Sequence, residues 1–141
     1  MNVIIRQERK ADYSAVYHLN KAAFEQDTEA KLVELLRNSN AFILALSLVA
    51  TVDDKVVGHI LFTKIKIKDE KGNESESLAL APMAVEPALQ NRGIGGQLIR
   101  HGLAQAKELG HTSVILVGHE HYYPKFNFVP AARWNIKAPF A

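Results

Sequence analysis

The chain has 141 residues, enough for one hydrophobic core. Its 48% hydrophobic and 23% charged residues are the proportions of a globular domain, not of a disordered or fibrous chain. A net charge of +2, with no basic stripe interleaved with aromatics, argues against nucleic acid as a partner, and the lack of cysteine removes disulfides, thiolate chemistry and cysteine-ligated metals.

In chain order, "VIIR" predicts a short strand. "ADYSAVYHLNKAAF" predicts a helix with Val16, Leu19 and Ala23 on one face and Asp12 at its positive end. Tyr13, Tyr17 and Phe24 read as packing residues. "TEAKLVELLRNSN" predicts a second helix, with Thr28 as its cap. "AFILALSLVATV" and "KVVGHILFTKIKI" are strands joined at "DDK"; Ile65 and Ile67 alternate with Lys64, Lys66 and Lys68. "KDEKGNESES" is a polar loop, and "SLALAPMAV" is the next strand. A helix then runs from Gly96 to Leu109, buries Leu98, Ile99, Gly102, Leu103, Ala106 and Leu109, and stops at Gly110 in a left-handed conformation. "TSVILV" is a strand, "HEHYYPKF" a short helix or turn, and the tail is extended and broken by prolines. The order β-α-α-β-β-β-α-β predicts an α/β (α+β) fold. Its mixed, mostly antiparallel central sheet is flanked by helices, and the last crossover is parallel.

No apolar run reaches the roughly 20 residues of a membrane-spanning helix, so no membrane is expected. The N-terminal segment does not read as a signal peptide, because its apolar run is short and charges follow at once. The cysteine-free composition suits a cytoplasmic location.

Two local anomalies carry the functional reading. The helix after "QNRGIGG" has no acid in its first turn, and its acid, Glu108, lies at the far end. Gly93, Gly95 and Gly96 leave bare backbone at the positive end of the helix dipole, with Arg92 alongside. That arrangement suits a pyrophosphate. The dinucleotide fingerprint fails for want of a correctly placed third glycine and a downstream acid, and the Walker A pattern for want of Lys-Ser/Thr. The second anomaly is Pro82 inside a strand that should be interior. Proline cannot donate to a ladder, so it predicts a bulge that splays this strand from the one after the helix. The amides of Met83 and Val85 would then need acceptors from outside the sheet. A pyrophosphate at the helix end plus an amide-bearing arm in a strand gap describes coenzyme A.

At these residues the sequence resembles the GNAT N-acetyltransferase superfamily. Gln90, Gly93 and Gly95 meet its Gln/Arg-x-x-Gly-x-Gly/Ala signature, and "LAPMAVEPALQNRGIG" is similar to the bacterial YhbS-like subgroup. "YYPKFNF" is similar to the family's Tyr-x-x-x-Gly-Phe element, with Asn127 at the glycine position. The resemblance implies a single acetyltransferase domain over residues 1–141, splayed between its fourth and fifth strands. It implies acetyl-CoA as donor, no metal, and direct attack by a primary amine, small-molecule or peptide, in a ternary complex. Met83, Ala84 and Val85 would hold the pantetheine and polarise the thioester. Gln90, Asn91, Arg92, Gly93, Ile94, Gly95 and Gly96 would hold the pyrophosphate, and Tyr123 would protonate the leaving thiolate, with Tyr122 its neighbour. The family's Asn and Ala contacts find no match in the short connection "GHEH". The chain ends where one further strand is expected, so either that strand is missing or a second copy completes the sheet in a homodimer.

His119 and His121 lie two apart, with His111 further off and no obvious third ligand, so they read as solvated histidines rather than a metal site. His119 or Glu120 is a candidate base for the amine. Glu29 is a candidate contact for a cationic substrate; Glu29 and Glu34 otherwise read as a solvated helix face. Trp134 fits core or interface equally. The alternative from another class is a non-catalytic acyl-CoA-binding sensor or subunit, which would keep the glycine turn without needing Tyr123.

Overall fold

The computed structural model describes residues 1–116. The elements are β1 (Val3–Gln7), α1 (Tyr13–Phe24), α2 (Thr28–Arg37), β2 (Phe42–Val52), β3 (Lys55–Lys68), β4 (Glu74–Val85), α3 (Ile94–Glu108) and β5 (Val114–Leu116). Single 3-10 turns stand at Lys10–Asp12 and Pro87–Leu89. The strands form one sheet in the order β1-β2-β3-β4-β5, antiparallel except for the parallel β4–β5 pair. This is the expected mixed sheet: short turns join β2 to β3 and β3 to β4, α1 and α2 lie in the connection from β1 to its antiparallel neighbour β2, and α3 makes the crossover to the parallel β5.

Alternation along the strands divides the core into two layers. Leu48, Ala50, Ile60, Phe62, Leu78 and Leu80 pack against Ile94, Leu98, Ile99 and Ala106 of α3. Val49 and Leu61 point to the opposite face and meet Val16 of α1 and Val33 of α2. Helix α3 lies close to β3 because Gly102 has no side chain: a Cβ there would fall 2.2 Å from Cε1 of Phe62. The β2–β3 turn holds Asp53 and Asp54 at φ of 50° and 65°, the two consecutive left-handed residues of a tight two-residue hairpin.

Several local expectations change. The ten-residue polar loop contracts to a turn at residues 69–73, and β4 begins at Glu74. The Asp69 carboxylate accepts from the Lys71 and Asn73 amides, and Gly72 takes φ +83°, which lets the chain reverse early. Thr28 is not the cap of α2 but its first residue; Asp27 precedes it, its carboxylate held by Lys31 Nζ at 3.1 Å. Helix α3 starts at Ile94, not Gly96, because the left-handed residues Asn91 and Gly93 already turn the chain into it. Leu109 falls at the end of the helix and is 47% exposed, so it leaves the apolar face. Gly110 takes φ +89° as expected. Asn20, not Ala23, completes the buried face of α1, and Phe24 is exposed.

Candidate active site

Strand β4 carries the expected bulge. Ile60 pairs with Met83, but Phe62 pairs with Leu80, so β4 spends one more residue than β3 across Ala81 and Pro82. Proline forces this because it cannot donate to either neighbour. Beyond the bulge, Gly58, His59 and Ile60 pair with Val85, Ala84 and Met83, and the Glu86 amide donates to the Val57 carbonyl at 2.8 Å. Antiparallel hydrogen-bonded pairs alternate every second residue. The Ala84–His59 pair is therefore the next bonded one, and the amides of Met83 and Val85 point away from β3, toward the β5 side. Among the described residues, the β4–β5 pairing runs from Leu78 opposite Val114 to Leu80 opposite Leu116. This parallel pair before Pro82 and the outward amides of Met83 and Val85 after it fit the expected splay.

The chain then turns into α3. The Gln90 side chain donates back to the Val85 carbonyl at 3.3 Å, closing the loop on the end of β4. Asn91 takes φ +64° and Gly93 φ +82°. No described residue would crowd a Cβ at Gly93, so what glycine supplies there is its backbone conformation. The first helical hydrogen bond is Gln97 N–H to the Gly93 carbonyl. The amides of Ile94, Gly95 and Gly96 thus have no acceptor within the helix. Among the described residues no side chain caps this end, and its first turn contains no acid.

Gly58, which the sequence reading passed over, joins the two halves. A Cβ at Gly58 would lie 3.0 Å from Leu98 Cδ1 and 3.2 Å from Ile94 Cγ2. Gly58 itself pairs with Val85. The bare backbone lets the first turns of α3 settle onto β3 at the level of Val85, so the uncapped helix end and the outward amides share one end of the sheet.

The other candidates fare differently. Glu29 is half-buried on α2, and its carboxylate accepts from Gln26 Nε2 at 2.9 and 3.2 Å. Glu34 is exposed. Tyr122, Tyr123, His119, Glu120, His121 and Trp134 lie outside the described residues. Among the described residues, no group of three His, Asp or Glu could hold a metal ion. No helix among them is long and apolar enough to cross a membrane.

A buried polar network also escaped the sequence reading. The Glu8 carboxylate accepts from Arg37 Nη2 at 2.7 Å and from Ser47 Oγ at 3.0 Å. Ser47 Oγ lies 3.0 Å from Nε2 of His59, which is 0% exposed. The Arg37 guanidinium stacks 3.7 Å from the Tyr13 ring centroid. Desolvation pushes the His59 pKa down to about 3, and the Arg37 charge adds to this while Asp12 opposes it. Glu8 Oε2 stands 3.8 Å from His59 Nε2, yet it is committed to Arg37, so burial prevails and the imidazole is neutral. Nearby, Asp12 binds Arg6 at 2.7 and 2.9 Å and the Arg9 amide at 2.7 Å, bonds that hold its carboxyl below the usual range. The signal in the sequence was polar residues inside the apolar runs "ALSLVA" and "GHILF".

The chain matches the model of the Acetyltransferase (GNAT) family over residues 7–128. It is 40% identical to the N-acetyltransferase YjhQ of Escherichia coli over 87% of this chain and 67% of that protein. To the Escherichia coli N-acetyltransferase YhbS it is 33% identical over 96% of this chain and 78% of that one. The crystal structure of YhbS in complex with CoA superposes with a TM-score of 0.85 over 94% of this chain and 72% of that one. A GNAT family acetyltransferase from Brucella melitensis in complex with acetyl-CoA superposes at 0.83, with 38% identity, over 92% and 84% of the two chains.

Proposed function

The chain belongs to the GNAT acetyltransferase family, and from that premise we propose that it moves an acetyl group from acetyl-CoA to a primary amine by direct attack within a ternary complex. The observation that carries this reading is the convergence at one sheet end of the uncapped start of α3 and the outward amides of Met83 and Val85, joined through Gly58. The relatives solved with CoA and with acetyl-CoA support the same donor.

In this reading the amides of Ile94, Gly95 and Gly96 receive the pyrophosphate oxygens, where the helix dipole favours negative charge. Gln90, Asn91, Arg92 and Gly93 shape the turn around them. Residues 83–85 take the pantetheine arm as an added strand, and the outward amides of Met83 and Val85 face the thioester oxygen, where charge develops as the amine attacks. The amine nitrogen bonds to the carbonyl carbon, the C–S bond breaks, and the sulfur leaves with its electron pair. Tyr123 supplies the proton to that sulfur, and the attacking nitrogen gives up its own to a base, for which His119 is the candidate. Glu29 on α2 is the candidate contact for a cationic acceptor, a small molecule or a peptide. In this reading the acetyltransferase domain works in the cytoplasm.

A thermal-shift titration tests the donor. Acetyl-CoA at a hundredfold excess over Kd should stabilise the fold by about 2.7 kcal/mol, and dephosphorylated pantetheine should do less. A shift with NAD or ATP but none with CoA species overturns the reading. Binding of acetyl-CoA without thioester cleavage across an amine panel would make the protein a sensor instead of an enzyme.

A further inference from the structure

We propose that Ser47 and His59, anchored by the Glu8–Arg37 pair, are positioning residues for the thioester site: they fix strand β3 behind Ala84 and thereby aim the amides of Met83 and Val85. The proposal rests on the donor reading above and assigns a role to side chains that the chemistry itself does not touch.

The hydrogen-bond directions follow from the inventory of protons. The Glu8 carboxylate, paired with Arg37, only accepts. Ser47 has one hydroxyl proton and gives it to Glu8 Oε1. Its oxygen must then accept from His59, which carries its proton on Nε2. The imidazole is thereby locked in one tautomer and one orientation. His59 Nδ1 is buried and has no hydrogen-bond partner among the described residues. An unpaired buried acceptor is destabilising, and a hydrophobic side chain of similar volume would fill this site at lower cost. The network is thus poorly explained as a device for stability alone.

Its position supplies the alternative. His59 pairs with Val49 on one side and Ala84 on the other. The alternation established at Glu86 and Val57 makes Ala84–His59 a hydrogen-bonded pair, so the backbone of His59 grips the residue between the two outward amides. The bulge at Ala81 and Pro82 breaks the ladder one residue beyond Met83, leaving the grip at His59 and its neighbours as the register lock of this segment. The other end of the network reaches the residue just after β1 through Glu8, β2 through Ser47 and the last residue of α2 through Arg37. Donors aimed at a developing charge act only when their support is rigid.

The test uses CoA, acetyl-CoA and acetyl-CoA labelled with 13C at the carbonyl. The labelled carbonyl should move downfield on binding the wild-type protein as the amides polarise it. Ser47→Ala and His59→Leu should bind CoA within about threefold of wild type, because the pyrophosphate turn is untouched, yet lose most of that downfield shift. His59→Gln, which retains a donor near the Nε2 position, should recover it. Val33→Ala, buried on the same face outside the network, controls for lost stability and should keep the full shift. If Ser47→Ala, the mildest variant, or a folded His59→Leu keeps the wild-type carbonyl signal, the positioning role is wrong. Equal loss in Val33→Ala reduces the network to packing. Failure of the wild type to bind acetyl-CoA overturns the donor reading itself, an outcome distinct from either.

Discussion

Gly58→Ala is the substitution that most directly probes how the two halves of the site are joined. The new Cβ would stand 3.0 Å from Leu98 Cδ1, 3.2 Å from Ala50 Cβ and 3.2 Å from Ile94 Cγ2. Carbon contacts are optimal near ~3.5–4.0 Å, so each neighbour is short by at least a few tenths of an ångström. Ala50 cannot yield, because it is the ladder partner of Gly58 on β2. Leu98 and Ile94 are buried on α3, so the relief falls on the helix, whose first turn must lift. Overpacking of this kind costs about 1–3 kcal/mol. Replacing a strand glycine returns about 0.5–1 kcal/mol through the unfolded chain. The net loss is about 1 kcal/mol, or roughly 3–5 °C in Tm for a chain of this size. Scanning calorimetry checks the stability, and isothermal titration with CoA should show affinity several-fold weaker, because Ile94 carries the amides of the pyrophosphate turn with it. A Tm equal to or above wild type, or an unchanged CoA affinity, would refute the claim that Gly58 sets the seat of α3.

Gly93→Asp meets no steric obstacle among the described residues but places an acid in the turn and an L side chain at φ +82°. Loss of CoA binding with the fold retained is expected, and unchanged affinity by titration would mean the turn is only a turn. Arg37→Leu leaves Glu8 buried without its cation, and breaking such a pair costs about 3–5 kcal/mol; a urea-melt loss below about 1 kcal/mol would contradict the buried pairing. His59 makes stability depend on pH. The unfolded histidine takes up a proton below about 6.5, while the folded one does so only near 3, so stability is full above 6.5 and falls as pH drops through that window, by up to about 1.4 kcal/mol per pH unit. His59→Gln, which retains the bond to Ser47 but cannot titrate, should flatten the slope in urea melts between pH 6.5 and 5; the groups facing it, Glu8, Arg37 and Asp12, remain in place. Finally, Tyr123→Phe should lower kcat by about a hundredfold, the low end for a positioned general acid, because a thiolate leaves partly unassisted. Acetyl-CoA affinity should stay within a few-fold, and Tyr122→Phe should do much less; equal effects would place the acid elsewhere.

The element order, the bulge at Pro82 and the uncapped start of α3 were legible in the sequence because each follows from local chemistry. A proline cannot donate, a glycine run exposes amides, and a helix without an early acid leaves its dipole open. The resemblance in residues 80–95 rested on the same short segment. What the sequence left hidden depends on partners distant along the chain. Gly58 reads as an ordinary weak point in a strand until α3 packs across it, and Gly102 as a flaw in a helix until the Phe62 ring occupies its place. His59 and Ser47 look like interruptions of apolar strands. Only the pairing of β2 with β3, and the arrival of Glu8 from just beyond β1 and Arg37 from α2, turns them into one buried network. Periodicity reports which face a residue occupies, whereas which residues meet on that face is decided by strand register and helix seating, and those are properties of the folded chain alone.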